Sequence, residues 1–316
     1  MINIFSPIND LGYGVHSRGW IRGLYNQTKD ISLSVIGGIQ CQLSDEELPI
    51  IQELSRNSEK FRFNDPSLYI FHEYFGNCFT GSPMVISPVF ETDKIDNRSK
   101  NFLNQMGHVV VVSKWAKGVL EDNGITAPIT VVPEGIDPEV FKPAGMESND
   151  QFTFVTVGKW EVRKSSQEML VAYADEFANE KEKTTFITHM YNPFMKEQFV
   201  NDFTQFVIDL GFTAQKSKGP EFVATKNNMT IIAPLVPLQN AEQMAQVYRR
   251  GHCGVFPSKA EGWNLPLLEC LACNVPAIAT NCTGQTEYLD VYEDSLLIKN
   301  LRKETANDGV WFKGNR

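Results

Sequence analysis

Four consecutive valines, Val109 to Val112, constrain the fold more than any other feature of the sequence. A run of β-branched residues without a polar face is typical of a strand buried on both faces of a parallel sheet. Ser113 follows and can cap a helix that extends to about Asp122, where Asn123 and Gly124 end it. A buried strand followed directly by a helix predicts an α/β fold with a doubly wound sheet.

Similar apolar runs recur along all 316 residues, and segments with helical periodicity separate most of them. The polar, turn-rich segment 143–151 divides the runs into two series, which predicts two Rossmann-like domains, residues 1–146 and 147–316. The predicted strands are Ile2–Phe5, Leu33–Ile36, Leu68–Phe71, Met84–Ser87, Val109–Val112 and Ile129–Val132, then Phe152–Val157, Thr185–Met190, Met229–Ile232, Gly254–Phe256 and Pro276–Thr280.

Charge and cysteine content exclude several classes of protein. The chain has 29 Lys and Arg against 38 Asp and Glu, a net charge of -9, which argues against broad, non-specific nucleic-acid binding. No stretch approaches the roughly 18 apolar residues of a membrane span, and no basic leader precedes the first strand, so we expect a cytoplasmic protein. The six cysteines are scattered, which predicts reduced thiols; Cys270 and Cys273 suit helix packing better than metal or redox chemistry.

The first strand leads into a glycine loop that lacks a dinucleotide fingerprint. Gly12 and Gly14 could bring the backbone close to a diphosphate or sugar, or could form a plain tight turn. A dinucleotide site would need a third glycine where Ser17 stands and an acid after the second strand, where residues 35–38 offer none. A nicotinamide cofactor is therefore not expected.

Residues 258–269 carry the strongest functional motif. A helix is predicted from Leu265, with Asn264 as its cap and Pro266 in its first turn, so that the N–H groups of residues 262–265 face an anion such as phosphate. Glu261 before the helix and Glu269 inside it can accept hydroxyl hydrogen bonds on either side of that anion. Because carboxylates repel phosphate itself, the expected ligand is a nucleotide sugar.

A basic loop follows the strand at residues 152–157. Gly158, Lys159, Arg163 and Lys164 stand beside a predicted capping box at residues 165–168, which favours a diphosphate site over ordinary surface lysines if the two lysines converge with the Glu261 loop. The apolar loop 233–238, which includes Val236, could hold a flat base or simply pack.

Acidic residues follow two strands of the first series. His72 and Glu73 come after the third strand and Glu91 after the fourth, where an open α/β sheet binds ligands. We expect them on the acceptor side of the site, with solvated loop residues as the alternative.

The chain resembles the retaining glycosyltransferases of family 4, whose GT-B architecture places two Rossmann-like domains across a cleft. The resemblance covers most of the chain and is strongest from about Val109 to Leu289. It is carried by Val-Val-Pro-Glu-Gly-Ile-Asp at 131–137, by Gly158 with Lys159 and Lys164, by Glu261 and Glu269 with seven residues between them, and by the strand, glycine and acid within 276–287.

The resemblance implies a hexosyl- or pentosyltransferase that moves a sugar from a nucleotide diphosphate donor to a hydroxyl acceptor with retention. The nucleotide sugar is a co-substrate, and no other cofactor is expected. No Asp-x-Asp pair is present, so a metal-independent reaction with no metal site is expected, in which Lys159 and Lys164 stabilise the leaving diphosphate. The implied catalytic residues are Glu261, Lys164, Lys159 and Glu91, and the implied donor-binding residues are Gly14, Gly158, Arg163, Val236, Gly262, Trp263, Asn264, Leu265 and Glu269.

Three departures from the family pattern qualify this expectation. Lys159 stands where arginine is more usual. The segment 87–92 has no histidine where many members place one that contacts the donor sugar, so either Glu91 takes a related place or the donor sugar lacks the group that the histidine contacts. The sequence ends at Arg316 without the helix that usually packs back on the first domain, which predicts a trimmed or compact chain with looser domain closure.

Several functions agree with the sequence. The acceptor is a glycan, a lipid-linked molecule or a small molecule, and a modified nucleic-acid base is less favoured by the acidic composition. A nucleotide-sugar epimerase on the same fold and a non-catalytic nucleotide-sugar binding module are the alternatives to a transferase.

Overall fold

The computed structural model contains two large sheets built mainly from parallel strands, and it describes residues 1–73, 79–144, 151–216, 219, 221–238, 240–289, 296–299, 301–307 and 313–316. The first sheet has the order β2-β1-β3-β4-β5-β6, and all of its strand pairs are parallel. Its strands are β1 (Ile2–Asn9), β2 (Ile31–Gln40), β3 (Ser67–Tyr69), β4 (Met84–Ile86), β5 (His108–Val111) and β6 (Ile129–Val131), with helices α1 (Gly12–Gln27), α2 (Glu47–Arg56), α3 (Asn97–Leu103) and α4 (Lys114–Asp122).

The second sheet has eight strands in the order β14-β13-β12-β7-β8-β11-β10-β9. The strands from β14 to β11 in that order run parallel, and β10 and β9 add an antiparallel edge. The strands are β7 (Phe152–Val157), β8 (Thr184–His189), β9 (Thr213–Gln215), β10 (Glu221–Lys226), β11 (Met229–Pro234), β12 (Cys253–Phe256), β13 (Ala277–Thr280) and β14 (Leu297–Ile298); the helices are α5 (Ser166–Glu176), α6 (Glu197–Asp209), α7 (Ala241–Arg249), α8 (Leu265–Ala272) and α9 (Thr286–Leu289).

The valine run forms an interior strand, as predicted. Strand β5 lies between β4 and β6, and Val109, Val110 and Val111 are all buried. Ser113 caps α4, because its hydroxyl accepts a hydrogen bond from the N–H of Ala116. Apolar side chains fill both faces of each sheet, which confirms the predicted α/β class with a doubly wound sheet.

Three local predictions were wrong. Helix α1 begins at Gly12, so Gly12 and Gly14 lie in its first turn and not in a loop. Ser165 and Asn264 precede helices, but both have left-handed backbone and neither side chain caps its helix. Strand β10 was not predicted, because its sequence has no continuous apolar run. It pairs antiparallel with β9, which is the exposed edge strand of the sheet.

A short C-terminal hairpin packs against the segment around Asp93, which follows strand β4 of the first sheet. Strands β15 (Thr305–Asn307) and β16 (Lys313–Asn315) pair antiparallel, and the backbone N–H of Asn315 donates to the Asp93 carboxylate at 2.8 Å. The Nζ of Lys303 lies 3.2 Å from the same carboxylate. The hairpin therefore contacts the segment that follows β4.

The predicted domain boundary at 146/147 lies outside the described residues, as does most of the predicted linker. In the described part of the chain, Cys41, Cys253, Cys270, Cys273 and Cys282 are free thiols. Among these same residues, no helix combines the length and the apolar character needed to cross a membrane.

Candidate functional site

The candidate site lies where the winding of the second sheet reverses. Strands β7 and β12 are neighbours, with β8 beyond one and β13 beyond the other. In an open α/β sheet, the loops that follow two such strands separate and leave a crevice at their carboxyl ends. The loop after β7 carries the predicted basic residues, and the loop after β12 carries Glu261.

Glu261 is buried between two cations. The Nη1 of Arg163 donates to its Oε2 at 2.8 Å, and the Nζ of Lys164 lies 2.5 Å from its Oε1. Its backbone is held as well, because the N–H of Glu261 donates to Thr283 Oγ1 and its carbonyl accepts from the N–H of Gly284. Burial alone would raise the pKa of Glu261, but Arg163 and Lys164 outweigh it and lower the pKa to about 2.

The second cation beside Glu261 is Arg163, not Lys159. The side chain of Lys159 is 31% exposed, lies 3.5 Å from the Glu161 carboxylate and sits over the ring of Phe194. The expected convergence of two lysines on the Glu261 loop is therefore replaced by convergence of Arg163 and Lys164. A hydropathy pattern predicts that valine is buried and arginine exposed. Here the reverse holds, since Arg163 is 5% exposed and the neighbouring Val162 is 60% exposed.

Glu269 lies in the second turn of α8, in a different environment. The Tyr248 hydroxyl of α7 donates to its Oε2 at 2.9 Å, and both side chains are buried. Burial raises the pKa of Glu269 to about 7; the Tyr248 hydrogen bond lowers it, and the charge of Glu134 adds to the rise. The sequence analysis did not identify Tyr248.

The start of α8 is fixed by side chains that follow β13. Asn264 turns the chain with φ 69°, and its amide donates to Gln285 Oε1 at 2.8 Å. The Tyr288 hydroxyl donates to the carbonyls of Trp263 and Asn264 at 2.9 and 3.0 Å. Leu265 opens the helix as predicted, while Trp263 is buried with its ring against Tyr288.

The glycines near Glu261 permit close approach between chain segments. A Cβ at Gly262 would clash with the Val89 side chain, and a Cβ at Gly284 would clash with the carbonyl of Gly262. A Cβ at Gly14 would likewise clash with the backbone of Asn9. These positions therefore need glycine for packing, independently of any ligand.

Gly158 and Val236 are connected through His189, at the end of β8. The N–H of Gly158 donates to the His189 carbonyl at 3.0 Å, and the His189 Nε2 donates to the Val236 carbonyl at 3.1 Å. The Val236 side chain is 48% exposed. The predicted base loop is thus tied to the predicted diphosphate loop through a buried histidine.

On the other side of the crevice, Glu91 approaches the same cluster. Its Oε1 lies 3.8 Å from Nη2 of Arg163. Burial raises the pKa of Glu91, and the charge of Arg163 only partly opposes that rise. A residue from the segment after β4 therefore shares a cation with Glu261.

Tyr13 and His72 lie next to the same segment. The Tyr13 hydroxyl donates to the Val89 carbonyl and lies 3.2 Å from Nδ1 of His72. Burial lowers the pKa of His72 to about 4, with a further contribution from the charge of Lys159. His72 is therefore neutral at pH 7. Tyr13 was not predicted, because an aromatic residue in a first helical turn has no distinguishing pattern.

Glu134, in the segment that resembles the family, connects to the first sheet. Its Oε1 lies 2.9 Å from Nδ1 of His16, whose Nε2 lies 3.0 Å from the Ser87 hydroxyl. All three side chains are buried or nearly so. Across the described ranges, no cluster of three or more His, Cys, Asp or Glu side chains is arranged to hold a metal ion.

Comparison with known proteins supports the resemblance. Residues 213–309 match the family described as Glycosyl transferases group 1. No curated protein matches the sequence. Among solved structures, sucrose-phosphate synthase from Thermosynechococcus elongatus is similar with a TM-score of 0.64 and 14% identity, over 90% of this chain and 82% of that chain.

Two further structures have the same architecture. The trehalose-6-phosphate synthase OtsA matches with a TM-score of 0.59 and 12% identity, over 94% of this chain and 88% of that one. The Anabaena protein HepE, in complex with UDP and glucose, matches with a TM-score of 0.58 and 13% identity, over 91% and 82%. These likenesses confirm the predicted GT-B fold. The family match, over residues 213–309, confirms the predicted resemblance to glycosyltransferases.

Proposed function

We propose that the protein is a retaining, metal-independent glycosyltransferase that uses a nucleotide diphosphate sugar. The observation that carries this proposal is the buried Glu261 held by Arg163 and Lys164 at the reversal point of the sheet, with Glu269 in the helix that starts there. One carboxylate on each side of a helix start can accept hydroxyl hydrogen bonds from both halves of such a donor, with the diphosphate between them.

Each part of the donor has a candidate partner. The charged Glu261 carboxylate suits the hydroxyls of the donor sugar, and Glu269 suits the hydroxyls of the ribose. Lys164, with its flexible side chain, can turn from Glu261 to the diphosphate, and Lys159 lies near enough to the surface to approach it from outside. The loop at Val236 is the candidate base pocket, supported by its link to His189.

The reaction breaks the bond between the anomeric carbon and the β-phosphate oxygen, which keeps the electron pair. The acceptor oxygen forms the new bond on the same face of the sugar, and its proton passes to the leaving β-phosphate oxygen. Negative charge grows on the leaving phosphate while the sugar becomes oxocarbenium-like, so cations and a helix start fixed in advance lower the barrier. Glu91, which shares Arg163 with Glu261, is the proposed carboxylate on the acceptor side.

Comparison structures support a donor of this kind. HepE was solved with UDP and glucose, and the other two structures are a sucrose-phosphate synthase and a trehalose-6-phosphate synthase. We propose a hydroxyl acceptor, such as a glycan, small molecule or lipid-linked molecule, and a cytoplasmic location, which the free thiols of the described cysteines support.

The test is release of nucleoside diphosphate from a panel of UDP-, GDP-, ADP- and TDP-sugars, with and without candidate acceptors. Wild type should release one nucleoside diphosphate, and acceptor should accelerate the release. Glu261→Gln should slow it by about 10²-fold or more, since it removes a charge placed for the transition state. Glu221→Gln, which removes a half-exposed carboxylate paired with Arg250, is the matched control and should leave the rate unchanged.

Other outcomes separate the alternatives. Isomerisation of the donor without acceptor, seen by NMR of the sugar, would identify an epimerase. Binding without release or isomerisation would identify a binding module. Transfer to modified DNA or RNA whose rate falls steeply with salt would identify a nucleic-acid acceptor.

A further inference from the structure

Arg163 is buried and is held by hydrogen bonds of both its guanidinium group and its backbone. Its Nη1 donates to the Ala260 carbonyl and to Glu261 Oε2, both at 2.8 Å, and its Nη2 donates to Glu161 Oε1 at 2.8 Å. Its backbone carbonyl accepts from the N–H of Lys259 at 2.8 Å. The residue therefore fastens the 259–261 loop to the turn after β7 through both backbone and side chain.

Lys164 holds the same carboxylate in a different way. Its ammonium group contacts Glu261 Oε1, the opposite oxygen from the one that Arg163 holds. An ammonium group on a four-carbon stem is a point charge that can change partners, whereas a guanidinium bonded to several acceptors at once is fixed in direction. An arriving diphosphate would compete with Glu261 for Lys164 far more easily than for Arg163.

Loss of Lys164 to the diphosphate would leave Glu261 with one cation. A buried carboxylate without a partner is costly and tends to take up a proton, and it then no longer accepts two hydroxyl hydrogen bonds. Because Arg163 is already bonded to Glu261 through Oε2, it can keep the carboxylate charged and oriented while Oε1 becomes available to the sugar.

We propose that Arg163 is a positioning residue that acts through Glu261: it holds this carboxylate toward the donor sugar while Lys164 exchanges from Glu261 to the diphosphate. The inference rests on the proposed function, and it replaces the sequence-based expectation that Arg163 binds the donor directly. Arg163 also lies 3.8 Å from Glu91, so the same guanidinium relates the carboxylates on the two sides of the crevice.

The experiment compares Arg163→Met, Arg163→Lys and Lys164→Met with wild type in the full-length chain. The probes are UDP, GDP, ADP and TDP for binding by calorimetry, and then the glucose conjugate of the tightest binder for turnover between pH 4.5 and 9. Arg250→Met is the matched control, because it removes an arginine that pairs with Glu221 on the surface. Thermal unfolding of each variant reports whether it is folded.

We expect Arg163→Met to bind the nucleoside diphosphate within about twofold of wild type and to lose about 100-fold in kcat, the size of effect that misplacing a reacting group produces. Lys164→Met should weaken nucleoside diphosphate binding by about tenfold as well as lowering kcat. At saturating donor, the kcat profile of Arg163→Met should acquire an acid limb above pH 4.5 that wild type shows only at lower pH, because Glu261 has lost its fixed cation. Arg163→Lys should recover about tenfold in kcat.

Three results would overturn the inference. Equal loss of nucleoside diphosphate binding in Arg163→Met and Lys164→Met would place Arg163 on the diphosphate. An unmoved acid limb would show that Arg163 does not act through Glu261. If wild type bound none of the four nucleoside diphosphates, the proposed function would fail and this inference with it.

A milder variant keeps the test decisive if Arg163→Met does not fold. Glu161→Gln removes one fixed partner of Arg163 and leaves Glu261 untouched. It should lower kcat by about tenfold, because the guanidinium loses one of its fixed bonds, with nucleoside diphosphate binding within about twofold of wild type. An unchanged kcat in this variant would count against the inference.

Discussion

Two buried glutamates, Glu261 and Glu269, lie in the same loop and helix but in opposite electrostatic surroundings. Arg163 and Lys164 flank Glu261 and lower its pKa to about 2 against the opposing effect of burial. Glu269 has a tyrosine hydroxyl at 2.9 Å, and burial raises its pKa to about 7. The difference follows from their partners, since both side chains are less than 10% exposed.

The two glutamates of one motif can therefore accept hydrogen bonds from hydroxyl groups with different protonation behaviour. Glu261 is charged at any physiological pH, which suits a sugar whose reaction is to be stabilised electrostatically. Glu269, with a pKa raised by burial to about 7, is close to half protonated at pH 7 in the free protein. Under the proposed function, the ribose hydroxyls would favour its charged form, so donor binding should be coupled to proton release.

The largest expected effect is on the pH dependence of the free energy of unfolding, to which Glu261 and Glu269 should contribute with opposite sign. Glu269 has a folded pKa above its ordinary 4.5, so its ionisation destabilises the folded state as pH rises from about 4.5 to 7. Glu261 has a folded pKa below 4.5, so its contribution is complete above that pH and is lost as pH falls toward 2. The two windows therefore lie on opposite sides of pH 4.5, and each effect is on the order of a few kcal/mol.

Urea unfolding between pH 3.5 and 8 checks this prediction. Glu269→Gln should gain stability relative to wild type as pH rises from 5 to 8, and Glu261→Gln should lose its deficit as pH falls below 4.5. Glu53→Gln is the control, since Glu53 accepts a hydrogen bond from Tyr25 at 2.8 Å away from the site. If the free energies of unfolding of the Glu261 and Glu269 variants varied with pH in the same way, the predicted difference between the two glutamates would be wrong.

The next effect separates the two lysines on the Glu261 side. Lys164 is 11% exposed and bonded to Glu261, whereas Lys159 is 31% exposed and paired with Glu161. Lys164→Met should lower kcat by about 100-fold, as expected for a buried charge-assisted contact, and Lys159→Met by less than about tenfold. Steady-state kinetics with the active nucleotide sugar gives both values, and equal losses would mean that both lysines contact the diphosphate.

The smallest effect concerns the tyrosine beside Glu269. Tyr248→Phe removes a hydrogen bond that lowers the Glu269 pKa, so a larger share of this carboxyl group is protonated at pH 7. Nucleoside diphosphate affinity should fall by about tenfold at pH 7 and recover by pH 9, as measured by calorimetry across that range. Tyr25→Phe removes a comparable bond to Glu53 and should change nothing; a loss independent of pH would rule out coupling through Glu269.

Much of the fold was predictable because buried parallel strands have continuous apolar runs in the sequence. Strands β5, β7, β8 and β12 were found to within one residue, and the start of α8 was placed correctly. The edge strand β9 and its neighbour β10 were not predicted, since β9 is exposed along its length and only Ala224 of β10 is buried, so neither strand needs such a run. Element type follows from local pattern, but edge pairing depends on distant partners.

The candidate site was predictable in position but not in its pairing. The sequence indicated which loops would meet, because parallel strands bring their carboxyl ends to one edge. It could not indicate that Arg163 is buried while Val162 is exposed, since hydropathy alone predicts the reverse. Tyr248 escaped as well, because a tyrosine in an amphipathic helix is usually ordinary core.

The most direct test of the central claim is thermal unfolding with UDP, GDP, ADP, TDP and NAD, each at saturation, on wild type and Glu269→Ala. A ligand that binds only the folded chain at a hundredfold excess over its Kd stabilises it by roughly 2.7 kcal/mol. The account predicts that one nucleoside diphosphate raises the wild-type midpoint clearly and that Glu269→Ala loses most of the rise. A rise with NAD alone, or no rise with any of the five, would contradict a nucleotide-sugar site built on these glutamates.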